Sequence, residues 1–442
     1  MIDDTTIQLV DSPEEALSPR EARLERAAAI LRWGAIANVV VVAAIVLLTI
    51  AGALRLLPNV PQTLHDLLLS RALTAHDAAV VSIVLMVLVN ISLLLVLMVG
   101  VLAREVWALV GVWILAGVNL LGLLFFGYVP GLVTTAAAVA SGLVAMRDVR
   151  AFRMNPVMLK ELRGRMRGIR AFIVLTVYLG LMSGFTALLY LIYTPVNRAS
   201  GSAAAGEVGR VLFMGIVGIE LLLIIFIAPS FTAGAITGER ERQTYDLLRT
   251  TLLASPSFVI GKLESALSYV LLLLLAAIPL QSVAFLFGGV SELELILAFV
   301  ILTVAAITLG TVGIYFSAIA NRTLTASVRA YTATLVVTFG APLVLNLILD
   351  ILANATRVVS PVIETILVYL DDLFISVNPI ATALVTRQLL IDQKGIGFWT
   401  YTLSNGSTIQ RVSPWVSFTI IYLVASTILV VLAIRRMRKV EA

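Results

Sequence analysis

An all-α integral membrane protein of about ten transmembrane helices is the fold class this sequence predicts, on three observations. Of the 442 residues, 60% are hydrophobic and 13% charged, against about 45–50% and about 25% in ordinary soluble domains. The mean hydropathy of +1.04 is spread along the whole chain, so the apolar excess falls into many segments. Ten of those segments reach the roughly 20 apolar residues needed to cross a hydrocarbon layer. This composition excludes a secreted soluble enzyme, a disordered chain and a nucleic-acid-binding domain, so nucleic acid is not an expected partner.

The predicted spans run over 34–57, 79–103, 106–126, 127–146, 171–194, 211–236, 263–288, 295–318, 332–349 and 415–434. An even number places both termini on one side, and the excess of basic residues in cytoplasmic loops says which. With the termini inside, 23 of the 31 Lys and Arg fall on the inner side and 8 on the outer. Four of those 8 (Arg357, Arg387, Lys394 and Arg411) share one long segment, where the rule has little force. The expectation is a multi-pass protein of the cytoplasmic (inner or plasma) membrane with both termini cytoplasmic. The net charge of +5 then reflects loops facing anionic lipid.

Along the chain, a cytoplasmic tail over 1–33 opens with Asp3, Asp4, Asp11, Glu14 and Glu15. It lacks a basic n-region, and the first span is too long for a signal-peptide core, so Ala51-Gly52-Ala53 reads as part of an uncleaved anchor. A four-span block follows over 34–146. Residues 147–170 carry eight Lys or Arg and two acids. There Asn155 can cap a helix with Pro156 in its first position, and Met158, Leu159, Leu162, Met166 and Ile169 recur at helical spacing opposite Lys160, Arg163, Arg165 and Arg167. Such a helix lies flat at the headgroups as an elbow, its cations toward anionic lipid.

Five core spans are predicted within 171–349, interrupted by a cytoplasmic segment over 237–262. Glu239, Arg240, Glu241 and Arg242 crowd its start. Tyr245, Leu247, Leu248, Leu252 and Leu253 then supply apolar contacts before Ser255-Pro256-Ser257 stops the helix. The mixed charges suit a protein groove better than a lipid surface. The outer segment over 350–414 predicts a re-entrant or interfacial helix from Pro361 to Phe374 and a hairpin around Asn405-Gly406. The last span and a basic tail complete the chain over 415–442.

Glu220 is the carboxylate placed well inside the hydrocarbon, where ionisable groups are costly and often functional; contact with substrate, a link between protomers and a bond to a neighbouring helix are the roles open to it. Pro229, Pro279 and Pro342 fall within spans and favour kinks, while Asn90, Asn119, Gln281 and Asn346 are expected to bond between helices.

No phosphate-binding GxxxxGK[ST] loop is present, because Gly261-Lys262 is followed by Leu263 and lacks the upstream glycine, so ATP energy would have to come from a separate subunit. GxSxG and HExxH motifs are likewise missing from the sequence. With no cysteine, disulfides and thiolate chemistry are excluded. His65 and His76 are eleven apart, not the helical spacing of a zinc pair. No catalytic, cofactor-binding or metal-ligating residues are assigned, and the chain is not expected to be an enzyme.

The two cytoplasmic segments resemble those of a known family, the permease subunits of type-2 ATP-binding-cassette (ABC) exporters. The resemblance rests on NPVMLKELRGRMRGIRAF ahead of the fifth span and on APSFTAGAITGERERQTYDLLRTTLLASPSFVIGKL across the sixth and seventh. It extends more loosely through SAIANRTLTASVRAY, Asn378-Pro379-Ile380 and the terminal RRMRK. It covers about 152–440, leaving four helices ahead of a six-helix core. What it implies is an elbow helix at 155–168 and a coupling helix inside 239–253 that docks on a cytoplasmic ABC ATPase, with Glu239, Arg240, Glu241, Leu247 and Leu248 matching the coupling region. It also implies a second permease subunit, identical or not, and ATP and Mg held by the ATPase partner.

Two other classes compete. A secondary transporter driven by an ion gradient would show paired intramembrane charges or broken helices in corresponding halves, for which Glu220 alone is thin support. A non-transporting scaffold would use the basic elbow only to bind anionic lipid, and the 237–262 segment argues against it. A largely apolar lining leaves the cargo open.

Overall fold

The computed structural model describes residues 19–53, 76–167, 169–197, 202–245, 254–340, 342–344, 347–348, 361–393 and 396–441. The protein is an all-α integral membrane protein. Among the described residues nine helices are long and apolar enough to span a bilayer, or eleven if each of two bent pairs counts as one span. Leu247, Leu248, Leu252, Leu253, Asn346 and His65 lie outside the described residues.

The N-terminal block consists of α1 (Pro19–Ala53), α2 (His76–Leu102), α3 (Val106–Phe126) and α4 (Gly131–Met146). Helix α1 begins 15 residues before the expected span. The charges of residues 20–32 depress local hydropathy, but Leu24, Ala27, Ala28, Leu31 and Ala35 recur at helical spacing and are all buried, so the helix continues through them. Helix α3 stops where Gly127 adopts φ +67°, and its N–H bonds back to Leu123 O at 3.0 Å; a left-handed residue closes a helix this way.

After α4 a short 3-10 turn and α5 (Pro156–Met166) follow, the pair bent by 80°. Asn155 caps α5, its side chain accepting from Val157 N at 3.0 Å with Pro156 behind it. A capped helix therefore stands at the position expected of the elbow. The core holds α6 (Ile169–Asn197), α7 (Ser202–Ala233), the one-turn α8 (Thr237–Glu241), α9 (Ser255–Leu286), α10 (Glu292–Ile319) and α11 (Thr323–Leu335), which opens into a π turn over Val336–Gly340. Pro229 and Pro279 lie inside α7 and α9. A reciprocal capping box between Ser291 and Glu294 starts α10.

Around the 237–262 segment two more boundaries differ from expectation. Ser255-Pro256-Ser257 does not merely end the preceding segment: it opens α9, because proline fits a first helical turn where its missing N–H costs nothing. Residues 255–262, expected in the loop, therefore form the first turns of a long helix. Helix α8 ends after five residues, the chain turning at Gln243 with φ +57°.

The 350–414 segment contains α12 (Pro361–Val377) and α13 (Pro379–Gln393), a helical pair bent by 116°. The hairpin follows as expected, β1 (Phe398–Thr402) antiparallel to β2 (Thr408–Val412) with Phe398 opposite Val412. Gly406 lies in the intervening turn at φ +81°. Helix α14 (Pro414–Glu441) returns through the bundle. The outer parts are tied down by polar contacts: Tyr369 donates to Gln410 O at 2.9 Å, Tyr422 to Val377 O at 2.7 Å, and Arg411 pairs with Asp372 while lying 4.1 Å above the Trp399 ring.

Among the described residues the three largest of four apolar clusters organise the molecule. One is confined to the N-terminal block and residue 152, one lies within α6, α7, α9, α10 and α14 with Val290 beside them, and a third joins the two. In the third, Val99 and Ala103 from the end of α2 pack with Phe258, Val259, Ile314, Ile434 and Met437.

Candidate functional site

The end of the bundle that carries the elbow gathers the residues of both motifs into one joint. Its centre is Lys262 in the second turn of α9. The side chain is 5% exposed, and its Nζ donates at 2.6 Å to Glu161 Oε1 of the elbow and at 2.6 Å to Glu239 Oε1 of α8. One ammonium thus binds the 147–170 and 237–262 segments to each other through a core helix. An ammonium removed from water is stable only when paired, and two carboxylates this close to one another repel unless a cation stands between them.

Asn155 forms the second knot. Beyond capping α5, its Nδ2 donates to Ser257 O at 2.7 Å and to Glu105 Oε1 at 2.8 Å, linking the elbow to α9 and to the α2–α3 turn. Burial pushes the Glu105 carboxyl up, and the Asn155 amide pulls it partly back. Gly261 makes room for this knot, since a Cβ there would stand 2.6 Å from Asn155 Oδ1. Two further bonds join the block to the core: Ser257 Oγ donates to Ala103 O at 2.8 Å, and Trp107 Nε1 to Glu264 Oε1 at 2.7 Å. Arg23 pairs with Asp148 at 2.5 Å and holds its carboxyl below the usual range, so the start of α1 is fastened to the elbow's approach.

The other described residues of the 237–262 segment that the sequence singles out have definite places. Arg240 donates to Ala320 O at 2.9 Å and Ala318 O at 3.1 Å, satisfying carbonyls at the end of α10, and lies 5.3 Å from the Tyr245 ring. Tyr245 is buried, its hydroxyl 3.8 Å from the Met437 sulfur. Glu241, exposed, accepts from Thr323 N and Thr323 Oγ1, both at 2.8 Å, at the start of α11. Thr244 bonds to Glu239. In the elbow, Lys160, Arg163 and Arg167 are exposed, whereas Arg165 turns inward, 5.5 Å from the Phe231 ring. Glu239 is thus joined to Glu161 through Lys262, while Arg240, Glu241 and Tyr245 bond to the end of α10, the start of α11 and α14.

Glu220 stands apart, fully buried in the core, where Gln281 Nε2 donates to its Oε2 at 2.8 Å and its Oε1 has no hydrogen-bond partner among the described residues. Asn90 and Asn119 bond to each other between α2 and α3 at 2.7 and 3.1 Å.

Lys262, Asn155 and Glu105 as a joint were not read from the sequence. Asn155 was read as a cap only, and Lys262 only as the end of a failed phosphate loop. Their partners lie 101 and 23 residues from Lys262 and 50 from Asn155, beyond any helical or strand spacing. The available signal was a lysine set two turns into an apolar helix, where a burial partner is required. Chemically the joint can transmit displacement between segments; among the described residues no group of three His, Asp or Glu side chains could hold a metal ion. No family model matches the chain, and no curated protein matches it in sequence.

Proposed function

We propose that this chain is the membrane-spanning permease subunit of an ATP-driven type-2 ABC exporter in the cytoplasmic membrane. Both termini are cytoplasmic, a second permease subunit stands beside it, and a separate ATPase subunit binds ATP and Mg. The observation that supports this reading most is the shared ammonium of Lys262. The segment beginning at Glu239 is the part a cytoplasmic ATPase would grip, and its first carboxylate is bonded to the same atom as the elbow's Glu161. When the ATPase closes on ATP, a pull on 239–253 is delivered at once to α5 and to the base of α9. The pathway opens or closes as those helices pivot, and nucleotide shifts that balance only by its different affinity for the two states. The exposed Lys160, Arg163 and Arg167 hold the elbow against anionic lipid.

Leu248→Asp tests the reading, since it places a charge in the apolar stretch that would enter the ATPase groove. Purified with its ATPase from native membranes, the variant should lose the ATPase and nucleotide-driven transport while melting as the parent does. Retention of both overturns the assignment. An ion-gradient-driven secondary transporter is the second reading, favoured by buried Glu220, one of whose carboxylate oxygens has no hydrogen-bond partner among the described residues. Transport that needs no nucleotide and stops when the proton gradient is dissipated selects it.

A further inference from the structure

Between α7, α10 and α13 lies a cavity of about 70 Å³, against the roughly 10–15 Å³ that one water molecule needs. Its walls are apolar, with Leu221 from α7, Ile301 and Leu297 from α10, and Ile380 and Leu384 from α13. The polar lining comes from Glu294, Thr386 and Arg387. Thr386 is 3% exposed, and its hydroxyl has no hydrogen-bond partner among the described residues. Arg387 Nε also lacks one: it stands 3.8 Å from Glu294 Oε2, an ion-pair distance too long for a hydrogen bond, and that oxygen has no hydrogen-bond partner among the described residues. The other Glu294 oxygen is committed to the Ser291 cap, and Arg387 Nη1 donates to the sulfur of Met214, a weak acceptor.

Buried polar groups are ordinarily bonded, and leaving them bare costs free energy that a fitting ligand recovers. Here a guanidinium N–H and a hydroxyl can donate, one carboxylate oxygen can accept, and all three adjoin an oily cavity. Water alone would satisfy the polar groups and leave the apolar walls unmatched. The complementary molecule has an alkyl chain, an anionic group to accept from Arg387 and Thr386, and a hydroxyl to donate to Glu294.

The geometry points to a binding site for a glycerophosphate amphipath, its acyl chain between α7, α10 and α13 and its phosphate on Arg387 and Thr386. This goes beyond the transport reading and does not require it, because the site is complete within one chain and binding needs no nucleotide.

The test uses the full chain alone in phosphatidylcholine nanodiscs, with a single-chain acyl glycerophosphate carrying a photoreactive group in its acyl chain. Labelling should map to α7, α10 and α13. Thr386→Val, which removes a hydroxyl the fold does not bond, should weaken binding about threefold. Arg387→Gln should weaken it about tenfold, the scale of one charge-assisted hydrogen bond. Leu384→Trp should block it by filling the cavity. Melting temperatures confirm that each variant is folded, and Thr386→Val carries the test if Arg387→Gln is not. Competition by phosphatidic acid added to the nanodisc would identify the ligand as a bilayer lipid; competition only by single-chain species would identify a free amphipath. Labelling spread evenly over lipid-facing helices, unchanged labelling in Thr386→Val and Leu384→Trp, or equal labelling by an alkyl trimethylammonium probe overturns the site.

Discussion

The four-helix N-terminal block and the core spend their buried polar groups differently. In the block, Asn90 bonds to Asn119 and to Tyr128, Asn119 also bonds to Leu115 O, Thr134 to Asn38, and Ser141 to Ala27 O. Each of these side chains is paired across helices or along its own helix, and Arg104 Nε, in the turn after α2, is the exception. In the core and in α13 packed on it, Glu220, Glu294, Thr334, Thr338, Thr386 and Arg387 each keep a buried atom without a hydrogen-bond partner among the described residues, and α7 and α9 carry internal prolines. Closed networks lock helices in one arrangement. Open ones, with prolines that leave backbone carbonyls unmatched, make alternative packings less costly. Under the proposed transport function the block serves as a fixed brace and the core as the moving part, and Lys262, Asn155 and Glu264 lie where the two meet.

Breaking the joint should have the largest effect. Lys262→Met leaves Glu161 and Glu239 facing each other without their cation and should cost about 3 kcal/mol of stability, as removing one partner of a buried pair does. Adding Glu161→Gln and Glu239→Gln to the same chain should recover most of it. Thermal melts of the single and triple variants read this directly, and equal melting of Lys262→Met and the parent would contradict the role of the shared ammonium.

Within the block, Asn90→Leu or Asn119→Leu should cost about 1 kcal/mol, the usual scale of an interhelical hydrogen bond in a membrane. The double variant should cost less than the sum, since both remove one pair. Nucleotide-driven transport should survive at the parental rate; its loss would show that the block moves with the core.

The smallest effect sharpens the boundary between the two regions. Glu105 is held above its ordinary range by burial, so the folded protein binds that proton more tightly than the unfolded chain. Its contribution to stability then declines as pH rises from the unfolded value through the folded one, and is flat on either side. Glu105→Gln keeps an oxygen for the Asn155 amide and abolishes the titration. Melting of the variant should equal or exceed that of the parent above this window and lose that component of pH dependence. An unchanged pH profile would place the Glu105 carboxyl in water.

Much of the architecture was legible in hydropathy because a bilayer demands long apolar helices, and the caps at Asn155 and Gly406's turn were legible because their chemistry is local. The same Asn-Pro signature at Asn378-Pro379 marks α13, where Asn378 Oδ1 accepts from Ile380 N at 2.9 Å. Arg387, Gln388 and Asp392 interrupt the apolar run of that helix, and Arg387 lines the cavity beside Thr386. The joint was illegible for a different reason. Lys262, Glu161, Glu239, Asn155 and Glu105 meet only after α2, α5, α8 and α9 have packed, and no periodicity in one sequence encodes such a meeting. Gln281 was expected to bond between helices, and its partner is Glu220, the one buried carboxylate already singled out.

The contrast between brace and moving core is tested most directly by pulsed electron–electron distance measurement on the complete transporter with its ATPase, using labels at exposed positions. One pair, Leu191 on α6 and Leu286 on α9, spans the core, and another, Val40 on α1 and Leu121 on α3, spans the block. Addition of ATP should shift the core distance and leave the block distance unchanged. A core distance indifferent to nucleotide, or a block distance that changes with it, would contradict transmission through Lys262 into the core.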